Sequence, residues 1–265
     1  MSPTYRITAL PVGESLVPAA EVYWMTKLAG WEALTFCAFL IEGGGRRALL
    51  NTGFPANLSR LHDHWTGWAR AVTGEEGHVP VVRPEHRIES SLAAHGVAPA
   101  DITDVLVTPL TAYATGGLAQ FTQARLHFSR RGWVDFHAPD PEVPQLPRDI
   151  VFPPAVLQYL VVDAANRIAL LPDETSEPLP GVRAWFCGAH HRSSMCFVVP
   201  TAVGRVAITD ALFHYRNYEE SIPLGLSESI EEHHRLFARL RRECDLVLPP
   251  YEPRIAERHP SLVIG

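Results

Sequence analysis

A glycine triplet, residues 43–45, separates "CAFLIE" from "RRALLNTGF" and obliges the chain to double back between two apolar runs. Glycine reaches positive φ without steric penalty, so this arrangement reads as a β-hairpin. The second half repeats the logic in "MCFVVPTAVGRVAITDA". Short strand-like runs surround the hairpins: "YRITAL", "DVLVT", "ARLHFS", "RIALLP", "VRAWF" and "DLVLP". Helices alternate with them. "PEHRIESSLAAHG" has Pro84 near its start, Ile88 and Leu92 four apart, and Gly96 as a stop. Ser229 followed by Glu232 is a capping-box pattern, opening a helix with Ile230, Phe237, Leu240 and Cys244 as its apolar stripe. Residues 55–84, with Trp65 and Trp68, read as a polar, irregular excursion, and the proline-rich segment 139–154 as a surface connection. Strands in two similar halves with helices between them predict an α+β fold. The expected arrangement is two sheets packed face to face with outer helices, forming one domain over residues 1–265.

Charge narrows the function classes. The net charge is −6, and Lys27 is the only lysine. A nucleic-acid surface needs clustered basic residues, and the basic runs here, Arg130–Arg131 and "RLRREC", are short. No stretch approaches the ~18 apolar residues of a membrane span. The start of the sequence lacks the pattern of a signal peptide. Cys37, Cys187, Cys196 and Cys244 lie far apart or in strand-like text, as buried free thiols do. The expectation is a cytoplasmic protein with no nucleic-acid or membrane partner.

Several stretches, taken in order, resemble the metallo-β-lactamase superfamily, and especially its N-acyl-homoserine-lactonase-like branch. "FLIEGGGRRALLNTGF" resembles the strand pair that ends in an Asp-Thr-Gly turn, with Asn51 in place of the aspartate. "PEHRIESSLAAHGVAPADITDVLVTPL" resembles the helix and strand that deliver the metal motif. "PGVRAWFCGAHHRSSMCFVV", "GRVAITDALFHYRN" and "DLVLPPYEPR" resemble the later histidine, bridging-aspartate and final histidine segments. The match spans about residues 5–260 and implies the αββα sandwich with its site at one sheet edge.

The resemblance also implies a ligand set, and this chain departs from it. The HxHxDH positions hold Pro109, Thr111, Tyr113 and Ala114; His190 and Asp210 retain the next two, and Tyr251 occupies the last. Five of seven ligands are gone. Proline and alanine have no donor atom, and threonine or neutral tyrosine is a poor zinc ligand. No cofactor is therefore expected, although His190 and Asp210 leave room for a single ion. Other histidines carry blander readings. His62 and His64 read as a solvated pair, His86 and His95 as exposed, His233 and His234 as partly buried or surface, and His191 as pointing away from His190. His214, four after Asp210, is the best displaced ligand or base.

The residues expected to converge are Thr111, Tyr113, His190, Asp210, His214 and Tyr251, with Glu252 or Ser193 beside them. A histidine oriented by a buried carboxylate makes a general base, and tyrosine hydroxyls can polarise a carbonyl. That predicts acid–base chemistry by His190 and Asp210, with Tyr113 and Tyr251 as donors, on a small ester, lactone or thioester. The same groups suit a cyclase, isomerase or lyase, and an inactive small-molecule-binding protein is the reading from another class. "VYWMTKLAGW" with Trp65 and Trp68 reads either as the wall of a pocket for an apolar or aromatic substrate, or as a homodimer contact.

Overall fold

A computed structural model describes residues 3–265. Strands β1 (Arg6–Pro18), β2 (Trp31–Gly43), β3 (Arg46–Leu50), β4 (Asp104–Leu106), β5 (Arg125–Ser129) and β6 (Ile168–Leu171) lie side by side in chain order. The second sheet holds β7 (Ser176–Leu179), β8 (Val182–Phe186), β9 (Met195–Thr201), β10 (Gly204–Thr209) and β11 (Leu246–Leu248); β12 (Val263–Ile264) returns to the outer edge of β1. Both sheets are mixed. β1 to β3 pair antiparallel and β3 to β6 parallel, while β7 to β10 pair antiparallel and β10 with β11 parallel. The glycine hairpin is real, with Gly44 and Gly45 at φ 57° and 74°.

Strand alternation explains the layering. On β2, Phe39 and Ile41 enter the core between the sheets, where Phe197, Val199 and Ile208 meet them. Their neighbours Ala38 and Leu40 face the outer helices of the first sheet. On β9, Cys196 and Val198 point the other way, onto Leu236, Phe237 and Leu240. Two sheets with helices on both outer faces are the expected αββα sandwich.

The helices are α1 (Ala19–Val22), α2 (Ser59–Thr73), α3 (Ile88–Ala93), α4 (Ala112–Thr115), α5 (Arg130–His137), α6 (Arg148–Val151), α7 (Pro154–Val162), α8 (Tyr215–Glu219), α9 (Ile230–Glu243) and α10 (Ile255–Arg258). One departs from expectation. The supposed irregular excursion contains α2, whose Leu61, Trp65, Trp68 and Val72 recur at helical spacing. Among the described residues, no helix is long and apolar enough to cross a membrane. All four cysteines are free; three are buried and Cys244 is half-buried.

Candidate active site

The segments that follow β3, β4, β8, β10 and β11 meet at one edge of the sandwich. Asn51 leaves β3 at φ 64°, a left-handed conformation that asparagine tolerates better than most residues. Its amide donates to the Thr108 carbonyl (2.8 Å) and accepts from the Thr108 N–H (2.9 Å). The Thr108 hydroxyl accepts from the Met195 N–H (2.8 Å) and donates to Asp210. The Ser194 hydroxyl accepts from the His191 N–H (3.0 Å) and donates to the other Asp210 oxygen. Burial raises the Asp210 carboxyl to about 7, against the lowering effect of those two hydroxyls. Asp210 thus fastens three segments together. The expected hydrogen bond between the His190 ring and Asp210 is not formed: Nδ1 bonds the Leu226 carbonyl and Nε2 has no partner, while Asp210 accepts from the two hydroxyls.

His190 is positioned by a different device. Ala189 before it adopts φ 66°, a left-handed conformation that costs a non-glycine residue ~1–2 kcal/mol. Four hydrogen bonds hold it there. Glu232 accepts from its N–H (2.7 Å), while the N–H groups of Glu228 and Ser229 and the Ser227 hydroxyl donate to its carbonyl (2.8, 3.1 and 2.8 Å). Ser229 caps α9 as predicted, its hydroxyl accepting from the Glu232 N–H. The Glu232 carboxylate does not complete the box; it braces the turn that carries His190.

The His190 imidazole is 2 % exposed, and its Nδ1 lies 2.7 Å from the Leu226 carbonyl. A carbonyl only accepts, so the proton is on Nδ1 and Nε2 presents a lone pair. That Nε2 has no partner, and neither do the hydroxyls of Thr111 and Tyr251. Burial lowers the His190 pKa to about 4. Burial also pushes Tyr113 and Tyr251 upward, so both keep their protons near neutrality and remain donors.

These groups line one cavity of about 120 Å³, together with apolar side chains that include Leu34, Phe36, Trp65, Trp68, Ile150 and Phe213. Phe36, Trp65, Tyr113, Tyr251 and Phe213 form a continuous aromatic wall, with successive ring centroids 4.9–6.2 Å apart. A second, more polar chamber of about 370 Å³ adjoins it, lined by Asp135, Arg148, Arg192 and Glu228. Trp68, Leu146, His190, His191 and Leu226 line both chambers.

Thr111, Tyr113, His190 and Tyr251 therefore come together as expected, while Asp210 lies behind them. His214 does not join the cavity. No helix connects it to Asp210; it caps α8, and its ring nitrogens bond Tyr23 (2.7 Å) and the Ala33 carbonyl (2.9 Å). Glu252 accepts from the Tyr215 and Arg254 N–H groups, and Ser193 from the Leu110 N–H, as loop supports. His191 does not point away: its ring lies 3.9 Å from that of His190, and both line the cavity. His64 lines it too, whereas His62 bonds the Pro80 carbonyl. His233, expected partly buried or at the surface, is fully buried. Within "VYWMTKLAGW", Trp24, Met25 and Leu28 are exposed and only the tryptophans of α2 reach the cavity.

Glu21 went unrecognised in the sequence. It lines the cavity from α1, 7 % exposed, and its carboxylate accepts from the Trp68 indole (2.8 Å). No sequence signal marks it, because its burial arises from a contact with a distant loop. The Leu226 N–H donates to the Glu21 carbonyl (2.9 Å), and the Leu226 carbonyl accepts from His190. Gly225 permits that approach: a Cβ there would lie 1.6 Å from the Ala20 carbonyl oxygen.

No protein-family model and no curated protein matches this sequence. Solved structures do. An N-acyl homoserine lactone hydrolase, with its product N-hexanoyl-L-homoserine at the catalytic metal centre, is 17 % identical with a TM-score of 0.76, covering 97 % of each chain. A metal-dependent hydrolase from Staphylococcus aureus is 15 % identical with a TM-score of 0.71, over 95 % of this chain and 91 % of that one. A metallo-β-lactamase from Thermotoga maritima is 16 % identical with a TM-score of 0.55, over 95 % and 98 %.

The lactone hydrolase corrects the expectation that no cofactor takes part, since its product is bound at a catalytic metal centre. The donors of this chain nevertheless do not fit a two-metal set. Among the described residues, no three His, Cys, Asp or Glu side chains converge as a metal cage. Asp210 accepts from two hydroxyls, His190 offers one nitrogen, and Thr111 and Tyr251 offer only neutral hydroxyls. Over nearly its whole length, then, this chain has the metallo-β-lactamase fold.

Proposed function

We propose that the protein is a hydrolase-like enzyme that binds a small ester, lactone or thioester with an apolar or aromatic group and acts on its carbonyl by acid–base chemistry. The observation that supports this best is a buried imidazole, anchored through Nδ1, whose unpartnered Nε2 shares a cavity with the unpartnered hydroxyls of Thr111 and Tyr251. Unpartnered buried polar atoms cost stability, and their concentration in one cavity is what a binding site for a polar group requires. His190 Nε2 accepts the proton of the attacking water and returns it to the leaving alcohol or thiol as the acyl–oxygen or acyl–sulfur bond breaks. Thr111, Tyr113 and Tyr251 donate to the carbonyl oxygen as negative charge develops on it. The apolar walls take the hydrocarbon part, and the adjoining polar chamber takes the remainder. General bases contribute typically 10²–10⁴-fold, and the lowered basicity of His190 places it near the lower end.

The test is turnover of a panel of lactones, aryl esters and thioesters, each assayed with and without added zinc. His190→Ala should lower kcat by about 10²-fold on any substrate found, with the fold retained. Turnover that survives this substitution would overturn the role of His190; saturable binding of the panel without turnover would favour a binding protein.

A further inference from the structure

The geometry points to a substrate or ligand with a protonated amine on its apolar body, held by the Glu21 carboxylate at the aromatic end of the cavity. Glu21 is almost fully buried, yet among the described residues only the Trp68 indole bonds its side chain and no charged neighbour balances it. A carboxyl among apolar walls without a counter-charge is destabilised when ionised, and an incoming cation removes that penalty. Trp65 and Trp68 line the same space, and aromatic faces attract ammonium groups by about 0.5–2 kcal/mol.

The charges around Glu21 favour this assignment. The other titratable groups on the cavity wall are His64 from α2, Tyr113 from α4, His190 and His191 from the turn before β9, and Tyr251 after β11. Burial lowers the three histidines and raises both tyrosines, so all are neutral near pH 7. Arg60 and Asp149 act on His64 but not on Glu21. Burial raises Glu21 to about 7, with the Trp68 hydrogen bond opposing it. Glu21 is thus the wall group that changes charge near neutrality, among the described residues. Through its backbone, Leu226 joins the main chain at Glu21 to the His190 ring, and both residues line the same cavity. An amine at Glu21 consequently places the other end of the molecule toward His190.

This inference rests on the cavity being the substrate site, but its test does not need turnover. Phenethylamine, 2-phenylethanol and phenylacetate share a ring and differ in the head group. Titration calorimetry at pH 8 should show the amine binding at least about tenfold tighter than the alcohol, with phenylacetate weakest. Glu21 is ionised above about pH 7 and protonated below it, while an alkylamine stays protonated to about pH 10. Amine affinity should therefore fall about tenfold from pH 8 to pH 6, and alcohol affinity should stay level. In Glu21→Gln, which preserves the acceptor for Trp68, amine and alcohol should bind alike. Alcohol binding and an unchanged unfolding temperature show that the variant is folded. Equal affinities in the native protein, or an amine preference that persists in Glu21→Gln, would overturn the inference. Amine binding without turnover of the panel would sink the catalytic reading and leave this one intact; turnover without amine preference would do the reverse.

Discussion

Two polar clusters lie back to back at this sheet edge, and they have opposite hydrogen-bonding states. In the cluster of Asn51, Thr108, Ser194 and Asp210, each side chain is paired within the group or to nearby backbone, and Asp210 has two donors. On the wall in front of it, His190 Nε2, Thr111 Oγ1 and Tyr251 Oη have none. A saturated buried network contributes rigidity, whereas an unsaturated one costs stability until something binds. We propose that the inner cluster serves the structure and the outer wall the function, which puts Asp210, a chemical residue in the ligand pattern, with the structure.

The hardest way to break this contrast is at the contact that positions the wall. Gly225→Ala would drive a Cβ into the Ala20 carbonyl. It should destabilise the protein by about 3 kcal/mol and displace Leu226, the acceptor for His190. Chemical denaturation and ligand titration check both effects, and an unchanged protein would mean that the loop adapts freely. A smaller effect is expected at Asp210. Its asparagine variant loses an acceptor for one hydroxyl, which should cost about 1–3 kcal/mol of stability while leaving kcat per folded molecule within about threefold. The opposite pattern, full stability with lost turnover, would return Asp210 to the reacting centre. The smallest change sharpens the contrast from the other side. Tyr251→Phe removes a hydroxyl with no partner, so stability should hold or rise slightly while kcat falls about tenfold, ~1.4 kcal/mol in activation free energy. Urea unfolding beside steady-state kinetics reads both quantities.

The fold was legible because it depends on order and periodicity. The glycine hairpin, the strand-like runs around it and the Ser229 cap each follow from local residue chemistry. α2 was missed: Leu61, Trp65, Trp68 and Val72 recur at helical spacing, but its polar composition read as an irregular excursion. That Thr111, Tyr113, His190 and Tyr251 share one cavity wall was legible in the segments they occupy. The partners of Asp210, His190 and His214 were not, because which donor reaches a carboxylate or ring nitrogen depends on rotamers and on segments far apart in sequence. Glu21 shows this most clearly, since its exposure to the cavity and its lack of a counter-charge are set by Trp68 and a loop two hundred residues away.

Leu226 contacts the two ends of the cavity through different parts of itself. Its backbone spans Glu21 and His190, and its side chain is one of the cavity's apolar surfaces. The two hydrogen bonds, from the Leu226 N–H to the Glu21 main-chain carbonyl and from the His190 ring to the Leu226 carbonyl, do not involve the side chain carried at this position. Residue 226 is thus a place where the shape of the accepted molecule can be retuned by substitution while both of those backbone hydrogen bonds are kept.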